Sequence, residues 1–492
     1  MLGVGMLLAV LGAVYCAVLL GPGANHGASL MPLGRIGASA SLALTLAFLV
    51  RQRQKRKQQR TAQLAGLTKL DLLPFERGRI ICMSPPISTV TFFTGDKAAA
   101  QRHFAKRVAE IVAANPWLAS VLDRDPGSGT MAAYYPPPGA EADGAARSCF
   151  EVRDDIALSR GSCATQYAAM AAALAPALCK TSGQSVGKGT PLWRVCVVPD
   201  SQDPGGRFAL VVSANHSLLD GYSFYSVHNM LSTKAEVRAL SPVRKQELTA
   251  RMVEAMRGGP SLMEGNPAGF IIRLMGGLIW SALFPATCAF GFHVSDEWVG
   301  AQKAALVAAK LEDPDGSGVA FVSTNDALMS AFSVCLRCDL AVMAINLRSR
   351  VLGCEEGDAG NYQDVISYRP ADYASPELVR RSVLGGGRPF VRAADPRTRM
   401  LTSWEHVRGA TYGVVTNWAT FAGAVAVQGA EEVLHVPLFD FPTTTPAKVL
   451  AVMVIFRPGA GKGVGVMVAG TQQLIDAVKA SGMVGQPLGI EM

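Results

Sequence analysis

The chain lacks most of the patterns that announce a metal or a nucleotide. Ten cysteines are scattered through 492 residues without regular spacing. Cys335 and Cys338 form a CxxC pair, but no second pair or histidine cluster completes a tetrahedral site. The pair therefore reads as small buried residues, and no metal is expected. Such scattered thiols fit a reducing compartment for the globular part. No GxSxG elbow occurs, which disfavours a serine hydrolase of that type. The run from Gly459 to Gly465 is glycine-rich yet fits neither a P-loop nor a dinucleotide fingerprint, and reads as a hairpin loop. Internal repeats are absent as well.

Acid is missing from one short block. Residues 51–60 carry six Lys or Arg and no Asp or Glu; without them the 46 basic residues fall to 40, against 38 acidic. A nucleic-acid protein spreads positive charge over a face interleaved with aromatics. Here a single block holds the excess, so nucleic acid is not expected as a partner.

What the chain has in quantity is apolar sequence, 49% of all residues. Residues 1–20 are apolar until Gly21-Pro22-Gly23, and a second run, 36–50, stops at Arg51. Each approaches the length of about 20 residues that a spanning helix needs. The first lacks a charged leading region, so it makes a poor cleavable signal. The expectation is a transmembrane segment or helical hairpin, with the basic block on the cytoplasmic side beside anionic headgroups. The body would then face the cytosol or the stroma from an endoplasmic-reticulum or plastid membrane. A third apolar stretch, 268–294, has Arg273 as its only full charge. It suits either burial or lipid contact, and Gly276, Gly277 and Pro285 are expected to interrupt any long helix there.

From Lys69 onward the pattern is mixed α/β (α+β). Helices are expected at 96–114, 325–338 and 472–479, and strands at 192–198, 208–215 and 340–347. A hairpin is expected from 448–456 and 463–469. The length suits two domains with appendages. The expected division is a membrane anchor with basic flank at 1–60, a first half at 61–235, a crossover at 236–300 and a second half at 301–492. The polar stretch 233–266 reads as the least globular part of the chain.

The sharpest local feature is Ser213-Ala214-Asn215-His216-Ser217-Leu218-Leu219-Asp220-Gly221. A strand should end at Asn215 and a helix begin near Tyr222. His216 then stands at a strand-to-loop junction, where an imidazole can project into a cleft. Asp220 can hold the turn and Gly221 permits a backbone that other residues resist. Histidine, titrating near neutrality, is a natural general base for an alcohol. Asn215-His216-Ser217 is formally a glycosylation sequon, and its occupancy would block this site, which favours a cytosolic orientation.

His216-Ser-Leu-Leu-Asp220-Gly221 resembles the HxxxDG motif of the chloramphenicol-acetyltransferase-like superfamily. That group includes BAHD acyltransferases, wax ester synthases, alcohol acetyltransferases and peptide-synthetase condensation domains. Further segments are similar in the same order: Asn115 to Ala119, Pro191 to Val195, Thr324 to Leu328, the arginine-bearing Ala344 to Arg350, Gly360-Asn361, and Val415-Thr416-Asn417-Trp418. The likeness covers about residues 69–492. Asn215 stands where wax synthases and condensation domains have a first histidine, which moves the chain toward the BAHD side. The BAHD segment DFGWG is missing; Asp440-Phe-Pro-Thr lies in that area without matching it.

The resemblance implies two similar domains with a central tunnel between them, acyl-CoA entering as co-substrate from one side and the acceptor from the other, with no permanently bound cofactor. It implies that His216 is the general base. It implies that Asp220 is structural, turned away to pair with Arg348 or Arg350, two residues apart and so expected on one face of a strand. Gly221 completes the motif; Thr416 and Trp418 would border the reacting carbonyl, with Thr416 a candidate donor to the oxyanion. The apolar anchor and 268–294 suggest a lipophilic alcohol as acceptor, such as a fatty alcohol, diacylglycerol, sterol or carotenoid. Two other readings are a catalytically silent, membrane-tethered scaffold of the same fold and a condensation enzyme using a carrier-protein thioester supplied in trans.

Overall fold

The computed structural model describes residues 60–137, 142–158, 163–256, 268–284, 286–312, 319–383, 401–439 and 445–489, with 48, 51, 52, 54, 55 and 58. The chain forms two compact units, Met1–Ala65 and Gly66–Met492. The described residues of the first are mainly helical. The expected membrane segments 1–20 and 36–50 lie outside the described residues, apart from Phe48. Among the described residues no helix is long and apolar enough to cross a membrane.

The larger unit carries strands β1 (Thr68–Asp71), β2 (Ile87–Gly95), β3 (Val121–Arg124), β4 (Met131–Tyr135), β5 (Phe150–Val152), β6 (Trp193–Pro199) and β7 (Arg207–Ala214) in its first half. The second half carries β8 (Cys288–Val294), β9 (Leu340–Asn346), β10 (Gln363–Tyr368), β11 (Tyr412–Asn417), β12 (Ala430–Pro437), β13 (Leu450–Phe456), β14 (Gly465–Gly470) and β15 (Val484–Pro487). The helices that matter below are α1 (Lys97–Ala114), α2 (Gly221–His228), α3 (Ala268–Leu283), α4 (Thr324–Leu336), α5 (Ser403–Gly409) and α6 (Gln472–Ala480).

Side-chain alternation explains the layering. On β13, Ala451, Met453 and Ile455 join a core with α4 and α6 residues such as Leu328, Phe332 and Leu474. Val454 and Phe456, on the opposite face, join the core of the first half with Phe92, Val195 and Val211. The two halves therefore share one apolar seam. Strand order is β10-β9-β11-β13-β14-β8-β15 in a seven-stranded sheet and β12-β2-β7-β6-β5 in a five-stranded one, with a small β1-β4-β3 sheet besides. β12 comes from the second half but pairs antiparallel with β2 of the first, Val436 opposite Val90.

Local signals match the elements. Asp96 caps α1 by accepting from the Ala99 N–H at 3.0 Å. Ser323 and Asp326 form a reciprocal capping box at α4. β13 and β14 form the expected antiparallel hairpin.

Three expectations are corrected. Gly276 and Gly277 do not interrupt the 268–294 segment: α3 runs through both, and β8 follows. Gly277 is needed for packing, since a Cβ there would lie 2.7 Å from Val449 Cγ2. Arg348 and Arg350 do not share a strand face: β9 ends at Asn346 and both lie in a turn, with Ser349 left-handed at φ 59°. The 233–266 stretch is not a loose connection where it is described. It carries a helix, Leu248–Ala255, and buries Leu240, Arg244, Leu248 and Met252.

Candidate active site

β7 brings the chain to the site and stops at Ala214. Asn215 then closes the turn from inside. Its Oδ1 accepts from Ser217 N at 3.0 Å and Ser182 Oγ at 2.7 Å, while its Nδ2 donates to Lys180 O at 2.9 Å. Asn215 is fully buried, so the sequon is closed to modification in the folded chain.

His216 follows on this anchored turn and is only part-buried, so it keeps some contact with solvent. Its Nδ1 is enclosed and has no hydrogen-bond partner of normal geometry among the described residues. Burial holds the ring below the ordinary histidine pKa, against its own backbone carbonyl, Asp220, Asn361 and Glu76, which pull it up. The imidazole is thus kept neutral, the state a base requires.

Asp220 is buried in protein. It caps α2 through Ser223 N at 2.8 Å, and its other oxygen accepts from Arg348 Nη1 at 2.7 Å and Tyr362 N at 3.1 Å. Arg348 is saturated: it also donates to Asn346 Oδ1, Ser223 Oγ, Asp358 O and Gly360 O. Both side chains are out of solvent. The arginine that reaches Asp220 is Arg348. Arg350, in the same turn, has its pKa lowered by burial and then by Arg380, and is not placed on Asp220.

Gly221 opens α2 beneath Trp418. A Cβ there would lie 3.1 Å from Trp418 Nε1, so the glycine lets the indole lie on the turn. Gly221, Asp220, Thr416 and Trp418 line a single cavity of about 30 Å³ with Asn346 and Phe421. His216 is not among its lining residues. The space holds a water or two, so a thioester enters only if wall side chains shift. A wider vestibule of about 310 Å³ adjoins it, walled by Ser226, Asn229 and Arg238 among others. Tyr222 and Phe421 line both spaces, their rings edge to face with centroids 5.4 Å apart.

A second buried ion pair, not anticipated from sequence, supports the turn. Arg244 Nε donates to both Glu76 oxygens at 3.0 Å, and its Nη2 donates to Leu218 O at 2.7 Å. Glu76 Oε1 also accepts from Asn361 N, and Asn361 Nδ2 donates to His216 O at 2.9 Å. Gly360, at φ 131°, lets the arginine pass, since a Cβ would lie 2.8 Å from its Nε. The backbone of the motif is therefore gripped from both sides, at Leu218 and at His216. Periodicity could not reveal this, because Glu76 and Arg244 lie 168 residues apart in the sequence.

The remaining candidates fall elsewhere. Asp440 to Thr443 lies outside the described residues. Cys338 is buried, with its thiol pushed up to about 12 by desolvation. Among the described residues no group of three or more His, Cys, Asp or Glu could hold a metal ion.

No family model matches the chain, and no curated protein matches it by sequence. Solved structures do match. TRI101 of F. graminearum, complexed with coenzyme A and T-2 mycotoxin, superposes with a TM-score of 0.54 at 15% identity, covering 86% of this chain and 100% of that one. The same protein with ethyl coenzyme A gives 0.50 at 14%, with the same coverage. The TRI3 trichothecene 15-O-acetyltransferase from Fusarium sporotrichioides gives 0.51 at 10%, covering 85% and 95%. With β12 crossing between two halves and the HxxxDG turn at their junction, the chain has the two-domain fold of the chloramphenicol-acetyltransferase-like acyltransferases.

Proposed function

We propose that the protein is an acyl-CoA-dependent O-acyltransferase that esterifies a lipophilic alcohol, such as a fatty alcohol, diacylglycerol, sterol or carotenoid. One observation carries this reading. His216 is a part-buried residue whose imidazole is kept neutral by burial, on a turn whose own carboxylate is held by Arg348. Solved structures of the same fold contain coenzyme A, and one is named an O-acetyltransferase.

In this mechanism His216 accepts the proton of the acceptor hydroxyl as its oxygen attacks the thioester carbonyl. The tetrahedral oxyanion is stabilised by a hydroxyl donor, the role assigned to Thr416. Collapse breaks the carbon–sulfur bond, and the imidazolium returns the proton to the departing thiolate. The products are the ester and free CoA. Asp220 and Arg348 hold geometry and exchange no proton. Gly221 and Trp418 shape the wall. In this reading residues 1–60 anchor the enzyme to an endoplasmic-reticulum or plastid membrane, with the catalytic part toward cytosol or stroma, so that a membrane-dissolved acceptor is at hand.

The test is release of free thiol from acetyl-CoA or palmitoyl-CoA by detergent-solubilised protein, across a panel of alcohols. Alcohol-dependent release, lost in His216→Ala, is expected. Release indifferent to the alcohol, or undiminished in the variant, would remove the proposal.

A further inference from the structure

Helix α3 is apolar around most of its circumference, with Arg273 its one full charge, but only one side is covered. Phe270, Gly277 and Ser281 face the body, where Phe270 packs with Leu340, Tyr412 and Val449. Ile272, Met275, Ile279, Trp280 and Leu283 point outward, with Phe284 just beyond the helix; all are 40% or more exposed. Their spacing of three and four residues makes one continuous stripe. Helix α5 extends it. Gly269 comes so close to Ser403 that a Cβ would lie 2.2 Å from its carbonyl oxygen, and α5 presents Trp404 and Val407, 69% and 44% exposed. A monomer in water does not ordinarily leave such a patch open.

The rim of the patch gives the occupant its chemistry. The Lys448 ammonium lies 5.5 Å from the Trp280 ring, and Trp280 packs on Phe284 with ring centroids 4.5 Å apart, tilted by 37°. Arg273 emerges from α3 itself and donates to Ala410 O, and Arg408 is exposed on α5. The helix carries no acid. Glu405, the one carboxylate on α5, is engaged by Thr402 N and Oγ1. Bulky apolar side chains flanked by Lys448, Arg273 and Arg408, with a tryptophan beside the lysine, complement anionic headgroups over acyl chains. At 16 residues, α3 is too short to span a bilayer, which takes about 20 residues. It can lie in the interface.

We propose that the outward face of α3, with Trp404 and Val407 of α5, rests on an anionic membrane surface. The placement has a consequence for the cleft. Leu340 and Val342 of β9, and Tyr412 of β11, pack beneath α3, while Ala344, Asn346 and Thr416 on the same faces of those strands line the cavity. Four residues of strand, about 13 Å, separate Leu340 from Ala344. Docking through α3 sets the cleft close to the lipid boundary, where a greasy alcohol resides. The inference rests on the exposed face alone and stands or falls apart from the acyl-transfer reading.

The experiment places a photo-crosslinker in the full chain, Ile279→p-benzoylphenylalanine or Leu283→p-benzoylphenylalanine, reconstituted in phosphatidylcholine–phosphatidylserine vesicles. Leu352, 84% exposed and off the patch, takes the same substitution as a control for mere tethering. Lipid adducts at 279 and 283 with none at 352 are expected. Cross-links to the chain's own N-terminal segment, cross-links to a second copy, equal lipid labelling at 352, or no adduct at all would each overturn the proposal. Acyl-transfer activity does not enter the readout.

Discussion

Arg348 of the second half donates to Asp220 of the first at 2.7 Å, with both side chains fully withdrawn from water. The bond fastens the HxxxDG turn to the turn after β9, so the pair holds the site together across the junction of the halves. Removing either partner leaves a buried charge alone, at a cost of about 3–5 kcal/mol. Asp220→Ala and Arg348→Ala should each lose stability on that scale in chemical denaturation. The double variant should lose clearly less than the two together, because neither charge is then stranded.

His216→Ala should lower kcat/KM by about a hundred- to ten-thousand-fold, the usual worth of a general base, with little change in Tm because its enclosed Nδ1 has no hydrogen-bond partner of normal geometry among the described residues. The pH profile of the wild type carries the sign. Burial lowers the His216 pKa, so the free base persists below the ordinary value of about 6.5. Activity should fall only as the medium is acidified through that depressed value. An acid limb centred above the ordinary value would contradict the assignment.

Gly221→Ala places a methyl 3.1 Å from Trp418 Nε1. The indole has to yield, and overpacking of this kind costs about 1–3 kcal/mol. Turnover should drop with it, since the displaced ring walls the cleft. Trp418→Phe in the same chain frees space and should restore part of the stability lost. Thermal melts and thiol-release rates of the single and double variants decide the matter.

Acid should loosen the seam where β12 meets β2. His435 on β12 bonds Thr91 Oγ1 at 2.8 Å and Tyr225 OH at 3.0 Å, and the His228 ring lies 5.1 Å from it. Burial holds the His228 pKa down to about 4, and His435 well below its usual value. The unfolded chain takes up these protons from about pH 6.5 downward while the native state refuses them. Stability should therefore fall as pH drops from about 6.5 toward about 4, by about 3 kcal/mol for His228 alone. His228→Phe should flatten that part of the curve in denaturation midpoints measured against pH.

Much of the fold was legible because its strands are short, strongly apolar and bounded by turn residues. β6, β7, β9 and the β13–β14 hairpin fall within a residue or two of expectation. The helix after the motif begins at Gly221, one residue before the expected start near Tyr222, and the Asp220 carboxylate caps it. The glycines of α3 misled, because a missing side chain can mark close packing as well as a break. Gly277 is packed against Val449, which no local pattern discloses.

Local chemistry determined where the chain turns. A strand ends before Asn215, a helix starts after Asp220, and an imidazole is left between them. Only the tertiary structure chose Arg348 over Arg350, set Glu76 and Arg244 under the turn, and sent β12 into the sheet of the other half. The reason is range. Caps and strand alternation act over a few residues, whereas a buried carboxylate takes whichever cation the folded chain brings within 3 Å, and Asp220 waits 128 residues for its partner.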